Sequence, residues 1–278
     1  MSTARVERLT KWVIAGPPLA FLLVFFLLPA LIMALASLRY PGEFGGLAPL
    51  AARPGGEGGL TLENYALFFG DWIYAQIFAK SLGIAALTTF ICLLTAYPLA
   101  LLIARSPKKR RDFMVLLVIL PFASNLLVRV YAWMVILGPL DLLFSRFAVI
   151  VGMVYVHLPF MVLPLYTNLE KHDPALLDAA QDLGANAWHT FWRVTFPLSL
   201  PGVFSGAALV FIPVLGMFAI PELLGGKDDW MVGNMIKEAF LGTRDWPFGS
   251  MLSLMLTLAV LAIAGAAALY ARRGATGA

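Results

Sequence analysis

Few residues in this chain of 278 could act on a solute, and most of them sit inside apolar sequence. Asn125, Arg129, Tyr131 and Trp133 interrupt one such stretch. Polar groups placed in lipid cost free energy, so they mark a route for something that is not lipid. Tyr131 and Trp133 offer aromatic faces that attract an ammonium group by about 0.5–2 kcal/mol. The same pair also suits a headgroup belt, and Arg129 suits snorkelling to the headgroups. Glu222, in "IPELLGG", follows Pro213 and Pro221. A broken helix with an acid beside it reads as a gate, as a cation contact, or as an acid already in outer water. Met217 and Phe218, one turn earlier, form either an apolar constriction or ordinary packing. Asp245, beside Trp246, is a further candidate at the outer mouth, for a solute or for a docking protein.

Other chemistry is not written in the chain. GxxxxGK[ST], HExxH and GxSxG do not occur, and "GGK" at Gly225 to Lys227 does not match the first of these. His157, His172 and His189 are scattered, without carboxylates at metal-ligand spacing. His157 in "YVHLPF" reads as a hydrogen-bonded structural histidine or as a pathway residue. The single cysteine, Cys92, lies in an apolar run and reads as a small core or lipid-facing residue. Neither catalysis nor a metal is expected of this polypeptide.

The elements that position these residues follow from composition. Hydrophobic residues make up 60% of the chain and charged residues 13%, and the mean hydropathy is +0.84. A soluble domain carries about 25% charged residues, so this is the balance of a polytopic membrane protein. Crossing about 30 Å of hydrocarbon takes about 20 apolar residues. Six runs meet that need: Trp12 to Leu38, Ile73 to Ala104, Phe113 to about Gly138, Phe147 to Leu169, Leu200 to about Leu224, and Ser250 to Ala271. Open strand edges are not tolerated in lipid, so an all-α membrane protein with six transmembrane helices is expected. The first run has the basic start of a signal and "ALAS" at Ala34 to Ser37. Its length favours an uncleaved helix.

Charge sets the orientation. Arg5, Arg8, Lys11, "RSPKKRRD" (Arg105 to Asp112), Lys171, Arg193, Arg272 and Arg273 share one side of six alternating spans. Glu43, Glu57, Glu63, Asp71, Asp141, Asp228, Asp229 and Asp245 share the other. The positive-inside rule then puts both termini in the cytoplasm. The net charge of +4 reflects topology and not nucleic acid, and "KKRR" reads as a solvated headgroup anchor. On the outer side, Pro41 to Gly59 reads as irregular. Leu60 to Trp72 reads as a short helix with Thr61 as a cap and Asn64 three residues on. Val232 to Phe240 reads as a second short helix. No internal repeat is visible, and one membrane domain over residues 1–278 is expected.

Between the fourth and fifth runs lies "DPALLDAAQDLGANAWHTFWRVTFPLSLPGV", Asp173 to Val203. Asp173 followed by Pro174 starts a helix. Leu176, Leu177 and Ala180 share one face of it; Asp178, Gln181 and Asp182 share the other. Gly184 ends it, and Asn186 caps a second piece, Ala187 to Val194, before Pro197 and Pro201 break regularity. Trp188, Phe191 and Trp192, at i, i+3 and i+4, form an aromatic ridge. The segment could lie in the headgroup zone, pack back on its own helices, or project its acidic piece into a cleft on a cytoplasmic partner. A rigid two-piece hinge suits the passing of a push into spanning helices.

The spacing Asp178-Ala179-Ala180, Gly184, Val194-Thr195-Phe196-Pro197 is similar to the EAA loop of permease subunits in binding-protein-dependent ABC importers. That motif reads EAA, three residues, G, nine residues, I-x-L-P; here Asp replaces Glu, Val replaces Ile and Phe replaces Leu. Val128 to Gly138, Val154 to Lys171, Phe211 to Gly226 and Gly233 to Ser250 resemble the spermidine/putrescine, PotB-type branch. The segment Gly138 to Phe147 is shorter than that branch usually carries. The resemblance implies the type I importer permease (MetI-like) fold in the bacterial inner membrane and a polyamine or related small solute as substrate. It implies a second permease of the PotC type, two copies of a PotA-type ATPase that bind ATP and magnesium, and a PotD-type periplasmic binding protein. It also implies that this chain holds no cofactor. Asp178, Ala179, Ala180, Gly184, Trp188 and Pro197 are then the residues expected to couple to the ATPase. A stand-alone secondary transporter or channel for a small cation is the competing reading. The missing repeat and the EAA-like loop count against it.

Overall fold

The computed structural model describes residues 3–50 and 58–275, with side chains over 13–50 and 58–266. Glu57 and part of the Gly/Pro-rich loop lie outside the described residues, as do the side chains of Arg5, Arg8, Lys11, Arg272 and Arg273. Apart from two isolated bridges, Arg39 with Leu60 and Pro41 with Leu47, the described residues form helices and turns.

Helix α1 runs unbroken over 3–37 through an i→i+5 stretch at Leu23–Leu27. Then come α2 (Glu63–Gly70), α3 (Trp72–Ala104), α4 (Lys108–Ile119), α5 (Leu126–Leu137) and α6 (Arg146–Leu169). They are followed by α7 (Pro174–Asp182), α8 (Ala187–Leu215), α9 (Ala219–Leu224), α10 (Val232–Lys237) and α11 (Trp246–Ala275). Among the described residues, five stretches are long and apolar enough to cross a membrane: Val13–Ser37, Trp72–Ala104, Arg146–Leu169, Ala187–Leu215 and Trp246–Ala266.

The third apolar run departs from the straight helix expected of it. Lys108–Ala123 and Leu126–Leu140 meet at 93°, so the run is not one straight helix. The cause is local. A 3-10 turn at Leu120–Ala123 contains Pro121, Ser124 is extended, and Asn125 restarts the helix by accepting from the Leu127 amide at 2.8 Å. Because of the bend, a straight rise of about 1.5 Å per residue along this run does not give the depth of Tyr131 or Trp133. The fifth run differs in the opposite sense. Pro197, Pro201 and Pro213 all lie inside α8, which extends back to Ala187. An i→i+5 turn at Phe191–Thr195 precedes Pro197, with the Phe196 amide donating to Phe191. That wider turn accommodates the donor that proline lacks. The helix stops instead at Gly216.

The chain divides into two compact units, Met1–Trp72 with Met235–Ala278, and Ile73–Asn234. In the first unit α1 and α2 pack on α11. Ser37 Oγ lies 2.7 Å from Tyr65 Oη, and Asn64 donates to the carbonyls of Ser37 and Arg39. Asn64 thus ties α2 to the end of α1, while Thr61 accepts from the Glu63 amide at 3.1 Å.

In the second unit the main contact is α6 against α8. Lipid supplies no hydrophobic drive between helices, so close packing of small residues must do it. Gly202 and Gly206 serve that purpose. A Cβ at Gly206 would meet Met161 Sδ at 2.7 Å, and one at Gly202 would meet Asn168 Cβ at 2.8 Å. Ser81, Ala85, Thr88, Cys92, Ala96 and Ala100 make the buried stripe of α3. Cys92 Sγ reaches the Val154 carbonyl at 3.7 Å, which makes it a core residue.

Candidate functional site: an elbow and a helix break

Two interruptions of regular helix stand out in the unit Ile73–Asn234. The first is the elbow that joins α6 to α8. Asp173 caps α7 by accepting from the Ala175 amide at 3.0 Å. The helix ends with Gly184 donating to Gln181 and Ala185 to Ala180, at 2.8 and 3.0 Å. Gly184 holds φ at +78° with nothing within 4 Å of an added Cβ. It is therefore present for its left-handed backbone and not for space. Asn186 then caps α8, accepting from the His189 amide at 2.9 Å.

The aromatic ridge divides between two faces. Phe191 is half-buried and packs edge-on against Tyr97 of α3 at 5.5 Å, with Phe196 at 5.9 Å from the same ring. Tyr97 Oη lies 2.8 Å from Ser199 Oγ, in the interior. Trp188 and Trp192 meet edge-to-face outside, and Trp188 is 68% exposed. Leu183, at the tip before Gly184, is 89% exposed. Asp178, Ala179 and Pro197 are exposed and Ala180 is half-buried. Asp178 also lines a cleft of about 510 Å³ with Arg105, Leu169, Glu170 and His172. Arg111 pairs with Glu170 at 2.7 Å, so this member of "KKRR" is a strut between α4 and the end of α6 and not a free headgroup anchor.

The second interruption is the α8–α9 break at Gly216, Met217 and Phe218. The Phe218 carbonyl accepts from the Glu222 amide at 3.1 Å and from Asn234 Nδ2 at 3.0 Å. Asn234 Oδ1 accepts from the Met231 amide at 3.1 Å, and Ser81 Oγ accepts from the Val232 amide at 2.9 Å. Met231, Val232, Gly233 and Asn234 are all buried. Nearby, Asp229 pairs with Arg146 at 3.3 Å and accepts from the Gly226 amide at 3.0 Å. Lys80 donates to the Asp228 carbonyl at 2.6 Å.

Residues 96–273 match the family model described as "Binding-protein-dependent transport system inner membrane component". The chain belongs to that family. It is 44% identical over 216 residues to the spermidine/putrescine transport system permease protein PotB of Haemophilus influenzae, covering 72% of this chain and 75% of that one. Against PotB of Escherichia coli K12 the identity is 40% over 215 residues, covering 71% and 78%. The molybdenum transport permease ModB of Mycobacterium bovis is 31% identical over 202 residues, covering 68% and 76%. In fold, the chain superposes on a bacterial ABC transporter that imports alginate with a TM-score of 0.68 at 16% identity, covering 98% and 99%. This is a multi-pass inner-membrane permease subunit of an ABC importer, which works with a separate ATPase and a binding protein and holds no cofactor.

The permease brings together some of the polar residues that its sequence singles out and separates others. Met217 and Phe218 form the break, and exposed Glu222 lies one turn beyond. Tyr131 is exposed on α5, and Trp133 stands edge-on to Tyr155 at 5.6 Å. Asn125 caps α5, so its carbonyl oxygen already has a structural duty. Asp245 belongs to the other unit and caps α11 through the Phe248 amide at 3.0 Å. His157 is buried with Nδ1 2.8 Å from the Met153 carbonyl, which favours its structural role. Arg129 Nε and Nη1 are buried and make no hydrogen bond among the described residues. That argues against snorkelling. Among the described residues no group of His, Cys, Asp and Glu could hold a metal.

Sequence reasoning missed the clamp around the break, because Ser81 and Asn234 lie far apart in the chain. It also missed Gly202 and Gly206, although "GVFSG" carries the small-xxx-small signal. A third omission is the cleft of about 510 Å³ between α6 and α8, where Thr167, Asn168 and Ser205 add polar atoms to an apolar wall.

Proposed function

We propose that this permease carries polyamines, spermidine or putrescine, and that the elbow Asp173–Pro197 is the lever through which its ATPase drives it. The observation behind the substrate is the 44% identity to a spermidine/putrescine permease. Tyr131 and Trp133 supply aromatic faces for an ammonium. Glu222 supplies a negative charge beside the break. Asn125 stands at a mouth of the same route, and Met217 with Phe218 narrows it; Asp245, in the other unit, is a further candidate contact for the solute.

The elbow is suited to its task by exposure on one face and anchorage on the other. Leu183, Asp178, Ala179 and Trp188 face outward to meet the ATPase, while Phe191 and Phe196 hold Tyr97 of α3. Ala180, Gly184 and Pro197 keep the two pieces at a fixed angle. A push on α7 thus reaches α3 and α8 together. The partners are a second, PotC-type permease, a PotA-type ATPase dimer and a PotD-type binding protein. The chain acts as one permease domain with both termini in the cytoplasm. Each partner favours one conformation, and ATP binding shifts the population between them.

The test is uptake by the assembled importer in vesicles. Spermidine and putrescine should stimulate ATP hydrolysis and accumulate, and a neutral solute of similar size should do neither. Stimulation by the neutral solute alone would overturn the polyamine reading.

A further inference from the structure

We propose that Asn234 is the positioning residue of the α8–α9 break, and that the strap Met231–Asn234 makes the opening of that break depend on α3. The inference rests on the reading of Met217 and Phe218 as the constriction.

Phe218 caps the start of α9, and its carbonyl already accepts from the Glu222 amide at 3.1 Å. The strap adds a second donor to that carbonyl. Asn234 works in both directions: its Nδ2 donates to the Phe218 carbonyl at 3.0 Å, and its Oδ1 accepts from the Met231 amide at 3.1 Å. The second bond fixes the rotamer that makes the first. Gly233 lets the strap come close enough. A Cβ there would fall 2.5 Å from the Gly216 oxygen and 2.8 Å from the Met217 oxygen. The Cα of Gly233 therefore faces the two carbonyls, a contact only glycine permits.

The strap is not free to move alone. Its Val232 amide donates to Ser81 Oγ of α3 at 2.9 Å, and Ser81 in turn donates to Ile77. Ser81 and Val232 are both fully buried. One residue earlier on α3, Lys80 holds the strap's approach through the Asp228 carbonyl at 2.6 Å. On the other flank, Asp229 is locked to Arg146 at the start of α6. The break is thus clasped by a segment whose own position is set by α3 and α6. Displacing α3 displaces the clasp, and the constriction follows. Tyr97, which meets the elbow, lies on the same helix.

The test uses the complete importer in vesicles, with Cys92→Ala removing the single thiol of this chain and Phe218→Cys as reporter, read on this chain after separation of the subunits. A membrane-impermeant maleimide reads the exposure of position 218. Asn234→Asp keeps the acceptor for Met231 and removes the donor to Phe218. Ser81→Ala releases the other end of the strap. Each should cut the nucleotide-dependent change in labelling about tenfold, the change for one buried hydrogen bond worth about 1.4 kcal/mol. Each should also raise the ATP hydrolysed per solute imported, while the ATPase still co-purifies. An undiminished nucleotide-dependent change in both variants, with assembly intact, would overturn the proposal. So would failure of both to assemble, since the strap would then serve folding and not position. A separate outcome tests the underlying reading. If Phe218→Cys in the otherwise unaltered strap labels equally with and without trapped nucleotide, position 218 is not a constriction at all.

Discussion

The elbow at Gly184 and the break at Gly216 interrupt helices in the same unit, and they are built in opposite ways. The elbow is exposed, its glycine has open space around it, and two of its apolar side chains, Leu183 and Trp188, stand mostly outside the packed chain. The strap behind the break is buried, its Gly233 has no space to spare, and its polar atoms are tied by Asn234 and Ser81, while Gly216 and Phe218 themselves are exposed. Exposed apolar anchors indicate a surface completed by another protein. Enclosed and satisfied polar groups indicate a part completed by the chain itself. In the proposed mechanism the first receives force, and the second is moved by it.

Substitutions can break or sharpen this contrast. The largest effect is expected at the elbow's anchors. Trp188→Ala with Leu183→Ala should weaken ATPase binding about 30-fold, as loss of an interface anchor costs about 2 kcal/mol or more. The melting temperature of the permease pair should not change, and binding and thermal unfolding together check this. Gly233→Ala comes next. Overpacking should cost about 1–3 kcal/mol and lower both melting temperature and uptake. Gly184→Val should cost about 1–2 kcal/mol through backbone chirality alone. Asn tolerates the left-handed region, so Gly184→Asn should recover most uptake, whereas Gly233→Asn should recover none. That pair separates a glycine kept for its φ from one kept for space. Tyr97→Phe removes the bond to Ser199 and should cost about 1 kcal/mol, read as a small drop in thermal stability. Arg111→Gln should have the least effect, about 0–1 kcal/mol, because the Arg111–Glu170 pair is partly exposed.

Local signals in the sequence carry a good part of this design. Asp173, Asn186 and Gly184 act through neighbours within a few residues, so type and spacing alone place the caps and the turn. Apolar length likewise marks α3, α6 and α11 to within a few residues. Proline misleads in both directions. Pro121 contributes to a 93° bend that the apolar run conceals, while Pro197 sits within α8 because the i→i+5 turn before it accommodates the missing amide. The clasp is illegible for a different reason. Ser81, Phe218 and Asn234 meet only after the chain folds, and each reads alone as an unremarkable polar or aromatic residue. The same holds for Phe191, whose spacing groups it with Trp188 and Trp192 although its ring turns inward to Tyr97.

The central claim is that the elbow is where the ATPase touches this permease. Its most direct measurement is site-specific crosslinking in the assembled importer, with Leu183→Cys or Gln181→Cys in a Cys92→Ala background. A short bifunctional reagent should join either position to the ATPase subunit, with a yield that changes when nucleotide is trapped. Labelling of Leu183→Cys from the periplasmic side, or crosslinks to the binding protein and none to the ATPase, would contradict it.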